Sequence, residues 1–528
     1  MKHLIKKILI LMCALFFLIQ PAFAEKPAEE EQTIKTSEIP KDNAAATPAE
    51  LAEAKAEAEK LAMEKATAES AMLFDKGYKA FTKGDYKKAA TFFHQYTTRT
   101  SRDETEYEWG EFFLGVSLKK CGMTHASVDV LSWLVTRKPN TKIVTYILEL
   151  FEEITRTIPY DKHSIINRSI YDQEYGFIES ELSNFVHYHQ GVFDWKNNFD
   201  VWGQNHFNKI NKKSYYYFKY RYQVALYHIV NNEIDDAIKI LEKILEKPFE
   251  GKEFKNTVRK TLARLFYEKK EYAKADTLYE EISTNIVYQA QNLLERSWSQ
   301  YRLNNQEKAM GLLYAFNAPA YRNYFSPEYF LLKSFIYKDV CNYGHALNVI
   351  DEFRQHYKTS LNNIYKRDNL SENSELLLAL LGKESINRIW KFINLLEEER
   401  SRIQGFSSPD LQAYLKNIYA LQLDETTTEL RLVIDEKYEE IANDLLEYEE
   451  KTDLMAYEVS LDMYQRVYQY HYDEENDTKG KEANTGFYRH YYAFYPFQNE
   501  FWNDELDNYK VILENKCSSM EEWDIFFK

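Results

Sequence analysis

Three carboxylates near the C-terminus are the only side chains in this sequence whose spacing suggests catalysis. Glu500, Asp504 and Glu505 flank Trp502. Two carboxylates beside an aromatic ring can hydrolyse a glycosidic bond if one has a raised pKa and both are held at a defined separation. The sequence contains no phosphate-binding loop, no nucleophile elbow and no zinc-protease motif. We therefore predict a protein that is not an enzyme, with glycan or peptidoglycan binding or processing as the alternative.

The histidines and cysteines do not have the spacing of metal ligands. His187 and His189 form the densest histidine group, but residues two apart on a helix point in different directions. Once an N-terminal signal is removed, Cys121, Cys341 and Cys517 remain, and an odd number leaves at least one free thiol or a link to another chain. Cys121 and Cys341 lie several repeats apart, so a bridge between them is not expected. We predict no metal and no cofactor.

A basic and aromatic segment is the candidate partner-binding site. Tyr215, Tyr216, Lys219 and Arg221 belong to a run of six aromatic residues interleaved with Lys and Arg. Such a run could recognise an acidic or proline-containing peptide, or stack on sugar rings. The alternative is that the aromatic residues pack as the first helix of a repeat and leave the basic side chains exposed.

The overall charge limits the kinds of partner. The chain has 83 acidic and 67 basic residues, a net charge of −16. Nucleic acid and anionic lipid are repelled by such a surface, so we exclude both as main ligands. Acidic runs such as Glu397-Glu398-Glu399 are interpreted as solvated faces of helices. The remaining class of partner is other proteins.

The N-terminus has the layout of a secretory signal peptide over residues 1–24. Lys2, Lys6 and Lys7 precede an apolar run, and Ala22-Phe23-Ala24 matches a cleavage site after Ala24. Lipidation at Cys13 and retention as an uncleaved anchor are the alternatives. Residues 25–46 have the composition of a disordered linker, and 47–70 that of an Ala/Glu/Lys-rich helix, either a spacer or a solvated lead-in. We expect a periplasmic or secreted protein without membrane insertion after cleavage.

Small residues recur along the chain at a period of about 34–38 residues and predict the fold. The equivalent positions are Ala89, Ser127, Ala237, Ala275, Ala309 and Ala346, with Gly191 and Gly203 in an intermediate copy. Turn residues such as Gly84, Asn232 and Asn304 separate the two members of each pair. This pattern resembles the tetratricopeptide repeat, a helix–turn–helix unit of about 34 residues. We therefore expect an all-α solenoid of helix–turn–helix repeats over residues 71–360, degenerate around 140–180, with additional C-terminal helices.

The C-terminal third differs from the repeats. Apolar residues at helical spacing, from Ile386 to Leu396 and from Leu430 to Ile441, predict long amphipathic helices with a break before Pro409. An aromatic segment between Phe494 and Tyr509 is expected to cap the solenoid within a C-terminal region of residues 361–528. This ending is similar to that of exported repeat proteins of gliding and predatory bacteria. The resemblance implies a protein-binding scaffold of the cell envelope, in a motility, secretion or outer-membrane assembly machine.

Overall fold

The computed structural model describes residues 68–104, 106–171, 173–249, 251–282, 286–321, 324–367, 373–474 and 506–517, and every regular element in these ranges is helical. The helices are α1 (68–82), α2 (Tyr86–Arg99), α3 (Tyr107–Lys120), α4 (Thr124–Thr136), α5 (Thr141–Thr157), a π-helix (His163–Tyr171), α6 (Ser180–Lys196), α7 (Asp200–Asn208), α8 (Tyr215–Val230), α9 (Ile234–Leu245), α10 (Lys252–Glu268), α11 (Tyr272–Glu280), α12 (Ile286–Arg302), α13 (Gln306–Tyr314), α14 (Pro327–Asp339), α15 (Tyr343–His356), α16 (Lys358–Lys366), α17 (Ser374–Gly382), α18 (Glu384–Ser401) and α19 (Pro409–Glu474). None of these helices is long and apolar enough to cross a membrane. The predicted signal peptide (1–24), the linker (25–46) and all but residues 68–70 of the lead-in helix lie outside the described residues.

Successive helices form pairs that are joined by one recurring turn. Among the described residues, seven turns that join the two helices of a pair contain a residue in the left-handed conformation: Gly84, Gly122, Asn198, Asn232, Lys270, Asn304 and Cys341. In each turn the N–H of the next residue bonds to the carbonyl five positions earlier, as Glu233 does to His228 at 2.8 Å. This arrangement satisfies a carbonyl that the helix end leaves unpaired, and Gly and Asn adopt it at low cost. The turn residues read from the sequence therefore have a definite role in ending the first helix of each pair.

The small residues of the predicted repeat lie at the helix crossings. Ala89, Ser127, Ala237, Ala275, Ala309 and Ala346 have no exposed surface. A Cβ atom at Gly203 would lie 2.5 Å from Cδ1 of Trp195 and 2.9 Å from the carbonyl oxygen of Gly191, so this crossing requires glycine. The prediction of an all-α solenoid built from helical repeats is confirmed.

One pair, between Ser127 and Gly191, has a different form. Its second element is the π-helix, which packs against α4 of the preceding pair and α6 of the following one. Arg168 of the π-helix donates to Oγ of Ser132 at 2.9 Å and lies over the ring of Trp133, 4.2 Å from its centre. This stretch falls within the region that the sequence marked as degenerate.

The C-terminal helices connect the two ends of the array. Ala89, Phe93 and Leu118 of the first two pairs share one apolar core with α17, α18 and α19, and the same core includes Phe353 and Tyr357 at the end of the last pair. The long helices are interrupted before Pro409, as predicted. Ser408 caps the second of them: its Oγ accepts a hydrogen bond from the Leu411 N–H at the start of α19. The C-terminal helices therefore close the array onto its own beginning.

A buried carboxylate fixes this closure. Glu399 of α18 is only 1% exposed. Its two oxygens accept hydrogen bonds from the N–H groups of Thr124 and His125, each at 2.9 Å, and one accepts the Tyr419 hydroxyl at 2.6 Å. Helix α4 starts after Met123, which makes no side-chain cap, so Glu399 caps it from a distant helix. The interpretation of the Glu397–Glu399 run as a solvated face is wrong for Glu399, because the packing of α18 on α4 removes that position from water.

The described part of the C-terminal segment, residues 506–517, lies along the last two pairs. Leu506 is fully buried in a core with residues of α12, α13 and α14. The backbone at Tyr509 passes so close to Gly311 that a Cβ there would lie 1.9 Å from the Tyr509 carbonyl oxygen. A disulfide joins Cys517 to Cys341 at the α14–α15 turn, and Cys121 is a free thiol. The aromatic residues 494–502, which were predicted to form most of a cap, lie outside the described residues.

Candidate functional site

The aromatic run of the sequence forms the first two turns of α8. Ser214 begins this helix, and its side-chain oxygen accepts a hydrogen bond from the Tyr216 N–H at 3.2 Å. Tyr216 is 3% exposed and packs into the core of the neighbouring pairs, whereas Tyr215 and Lys219 are partly exposed. Arg221 is two positions beyond Lys219 and therefore lies on another side of the helix. The structure brings Tyr215, Tyr216 and Lys219 together and separates Arg221 from them.

Two cations lie against the tyrosine rings at the start of α8. The guanidinium carbon of Arg156, near the end of α5, is 4.9 Å from the centre of the Tyr215 ring and 5.4 Å from that of Tyr216. The Nζ atom of Lys219 is 5.4 Å from the centre of the Tyr188 ring and 5.6 Å from that of Tyr215. Cations at such distances are attracted by the negative face of the ring. Tyr215 is thus placed between two cations that come from different repeats.

Lys219 belongs to a group of basic residues that affect one another. Burial and then the charge of Arg156 lower the pKa of Lys219. The pKa of Lys162, which precedes the π-helix, is lowered mainly by burial and next by the charge of Arg388. The charge of Lys219 adds a smaller effect. Burial, then Lys219 and Lys162, lower the pKa of His189 to about 3, so this histidine is neutral at physiological pH.

Arg388 of the C-terminal helices also affects the pKa of groups on the repeats. Arg388 lies on α18, one helical turn after Glu384. The charge of Arg388 acts on the pKa values of Lys162 and Tyr160. The charge of Glu384 acts on the pKa values of Tyr222 and Lys260. We call the surface on which side chains of α5, α6, α8, α10 and α12 contact the adjacent repeat the inner surface.

Cations elsewhere on the inner surface are paired with the adjacent repeat. Arg264 donates through Nε to Glu295 at 3.0 Å and also bonds it through Nη2 at 2.5 Å. Lys260 donates to the side chain of Gln291 at 2.6 Å. Among the described residues, Lys162, Lys219 and Arg388 form no ion pair with a carboxylate, although the charge of Glu429 acts on the pKa of Lys162. We call these three residues the cation cluster.

Sequence reasoning found one member of the cation cluster and missed two. Lys219 stood out because it lies within a contiguous aromatic run. Lys162 and Arg388 are isolated basic residues far from that run, and nothing in their neighbourhood distinguishes them from other surface cations. Both lie far from Lys219 in the sequence, so any relation to it depends on the fold of the whole chain.

The other candidates from the sequence have no common site. Glu500, Trp502, Asp504 and Glu505 lie outside the described residues. His187 and His189 point in different directions, as predicted: Nδ1 of His187 is 3.1 Å from Nδ1 of His206, whereas the ring of His189 packs on Phe185 and Tyr216. Within the described ranges no three His, Cys, Asp or Glu side chains are grouped as metal ligands.

Comparison with known proteins gives little additional information. No protein-family model matches the chain, and no curated protein matches it. Among solved structures, the apo form of RapI is similar at 11% sequence identity, covering 69% of this chain and 98% of that one, with a TM-score of 0.30. This score is too low for any function to be transferred.

Proposed function

We propose that this chain is a non-enzymatic scaffold of the bacterial cell envelope that binds another protein on its inner surface. The observation that carries this proposal is the row of tyrosines and cations through which the first helices of successive pairs contact one another on the inner surface. Helical repeats cannot bury every such side chain within a single pair, and stacking aligns them into an extended surface suited to a protein ligand.

The tetratricopeptide type of repeat fits the length of the units and their small-residue crossings. The spacing between equivalent crossings is 38 residues from Ala237 to Ala275, 34 from there to Ala309, and 37 on to Ala346. Each of these four crossings belongs to a pair of helices joined at a left-handed residue. We assign the repeats to this type on that pattern.

An exported location is supported by two independent features. The first 24 residues have the composition of a cleavable signal peptide, with a predicted cut after Ala24. The Cys341–Cys517 disulfide is the second, because such bonds persist in oxidising compartments such as the periplasm. A motility, secretion or outer-membrane assembly machine is the setting that we propose for a scaffold of this kind.

Affinity capture from the native envelope tests the proposal. The tagged full-length protein is crosslinked in cells, and material recovered with it is identified by mass spectrometry, next to a Lys219→Glu variant and a Lys212→Glu control on the exposed loop before α8. We expect a specific protein that is recovered with wild type and the control and is reduced with Lys219→Glu. Recovery of polysaccharide without protein would favour the glycan-binding alternative and refute the scaffold.

A further inference from the structure

Two histidines face each other where α6 and α7 cross. Nδ1 of His187 on α6 lies 3.1 Å from Nδ1 of His206 on α7. At this separation one ring nitrogen donates its hydrogen and the other accepts it, so at least one of the two imidazoles is neutral. If both rings were protonated, two N–H groups and two positive charges would be directed at each other. The contact is therefore compatible with no more than one positive charge on the pair.

A buried carboxylate lies on the other side of His206. Asp194 follows His187 by about two helical turns on the same face of α6 and is 3% exposed. Its Oδ2 atom is 3.8 Å from Nε2 of His206. Asp194 can thus balance one proton on His206. In the described part of the chain no carboxylate forms an ion pair with His187, so a second proton is not balanced in the same way.

The other groups around the pair do not favour a second proton. The cation of Lys209, which follows α7, lowers the pKa values of both histidines. Toward the π-helix the neighbour is the amide of Gln190, which bonds two backbone carbonyls at and after the end of that helix. From α8 the neighbour is the hydroxyl of Tyr220, which is hydrogen-bonded to a glutamine of α7.

We propose that the His187–His206 pair is an acid-sensitive fastening, which keeps α7 packed on α6 at neutral pH and lets it separate when both rings are protonated. This inference goes beyond the scaffold function and does not depend on it. Phe207 of α7 is 2% exposed, and its ring stacks on Tyr220 of α8 with the ring centres 4.2 Å apart. Separation of α7 would therefore uncover aromatic surface on the helix that carries the candidate partner-binding residues.

Proton linkage gives the direction of the effect. Burial, followed by the charges of His206 and Lys209, lowers the pKa of His187 to about 4, whereas a histidine in the open form has a pKa of about 6.5. Between these values the open form binds more protons, so the closed crossing loses stability as the pH falls. Burial lowers the pKa of His206 as well, with Asp194 opposing it, and acts in the same direction. Burial raises the pKa of Asp194, which has the opposite effect, but this residue is kept in every variant below.

Hydrogen exchange of the full-length protein at pH 7.5 and pH 5, corrected for the intrinsic exchange rates, tests the proposal. We expect the protection of α7 to fall by about tenfold or more at pH 5, because the closed form excludes protons that the open form binds. Helix α11, which contains no histidine, serves as an internal reference and should change by less than about twofold. Unchanged protection in α7, or an equal loss in α7 and α11, overturns the proposal.

A variant without the two titrating rings provides the matched comparison. In His187→Asn/His206→Asn the amides keep hydrogen-bonding groups near the positions of the Nδ1 atoms but cannot gain a proton. We expect its α7 protection to differ by less than about twofold between the two pH values. The control His163→Asn removes an exposed histidine of the π-helix and should keep the acid response of wild type.

Thermal melting at pH 7.5 verifies that the variants fold, and the single variant His187→Asn replaces the double variant if the latter does not. The single variant should show a smaller acid response than wild type, because the second charge can no longer form. A loss of α7 protection in either variant as large as that of wild type overturns the proposal, as does loss of the acid response in His163→Asn.

Discussion

Replacing Glu399 with alanine tests whether the C-terminal helices hold the array closed. The substitution removes the acceptor for the N–H groups of Thr124 and His125 and for the Tyr419 hydroxyl, all of which are buried. Leaving a buried donor unpaired costs about 1–3 kcal/mol, so with partial relaxation we expect the free energy of unfolding to fall by about 3–5 kcal/mol. Helix α4 also loses the cap that Met123 does not provide.

Urea unfolding and hydrogen exchange measure this effect. The matched control is Glu397→Ala, two positions earlier on α18, where the carboxylate is half-exposed and pairs only with Arg400. We expect the control to change stability by less than about 0.5 kcal/mol. In Glu399→Ala, exchange should increase in the first turn of α4 and in α18 together. If both variants unfold at the same urea concentration as wild type, Glu399 does not hold the closure.

The pH dependence of stability provides a second test of the Glu399 carboxyl group. Burial raises the pKa of Glu399, with the hydrogen bonds from Tyr419, His125 and Thr124 opposing it. A carboxyl group whose pKa is higher in the folded state contributes stability that is present at low pH and is lost as the pH rises through the folded pKa. Relative to Glu399→Gln, wild type should therefore lose stability as the pH is raised above the usual range for Glu. A constant difference between the two proteins from pH 4 to pH 8 would contradict the raised pKa.

Three further substitutions test the repeat register and the C-terminal attachment. Ala275→Trp should overpack a helix crossing and lower the free energy of unfolding by about 1–3 kcal/mol or more. It should also increase hydrogen exchange between residues 255 and 320, and unchanged protection there would contradict the repeat register. Gly203→Ala should destabilise by about 1–3 kcal/mol, whereas Gly176→Ala, which has open space around it, should be neutral; equal melting temperatures would refute the close crossing. Replacing Cys341 and Cys517 by serine should lower the free energy of unfolding by about 2–4 kcal/mol, and alkylation of both cysteines without prior reduction would show that the bridge is absent.

The repeats were predictable because their determinants are local. Each crossing needs a small residue such as Ala275, and each turn needs a residue that tolerates the left-handed conformation, such as Gly84 or Asn304. Both requirements recur at a regular spacing, and they can be recognised in the sequence without knowing which distant segment packs against each repeat. The break before Pro409 and the apolar faces of α18 and α19 were predictable for the same reason.

Closure of the array was not predictable, since it depends on contacts between distant segments. Glu399 is one of three consecutive glutamates, and only the packing of α18 on α4 distinguishes it from Glu397 and Glu398. Arg388 is likewise an ordinary surface residue until the C-terminal helices return to the middle repeats. The odd number of cysteines indicated a free thiol, but which pair would form depended on the path of residues 506–517.

The cap of α4 has a consequence for the order in which the chain acquires structure. Thr124 and its partner Glu399 are separated by 275 residues. At a synthesis rate of about 5–20 residues per second, roughly 15–55 s pass between the two leaving the ribosome. Throughout that interval the apolar face around Ala89, Phe93 and Leu118 has no permanent cover, although the helices that form it are complete. The first two repeats therefore wait longer for their packing partner than α14 does for Cys517, which is 176 residues from Cys341. We expect their apolar face to be prone to aggregation during that time.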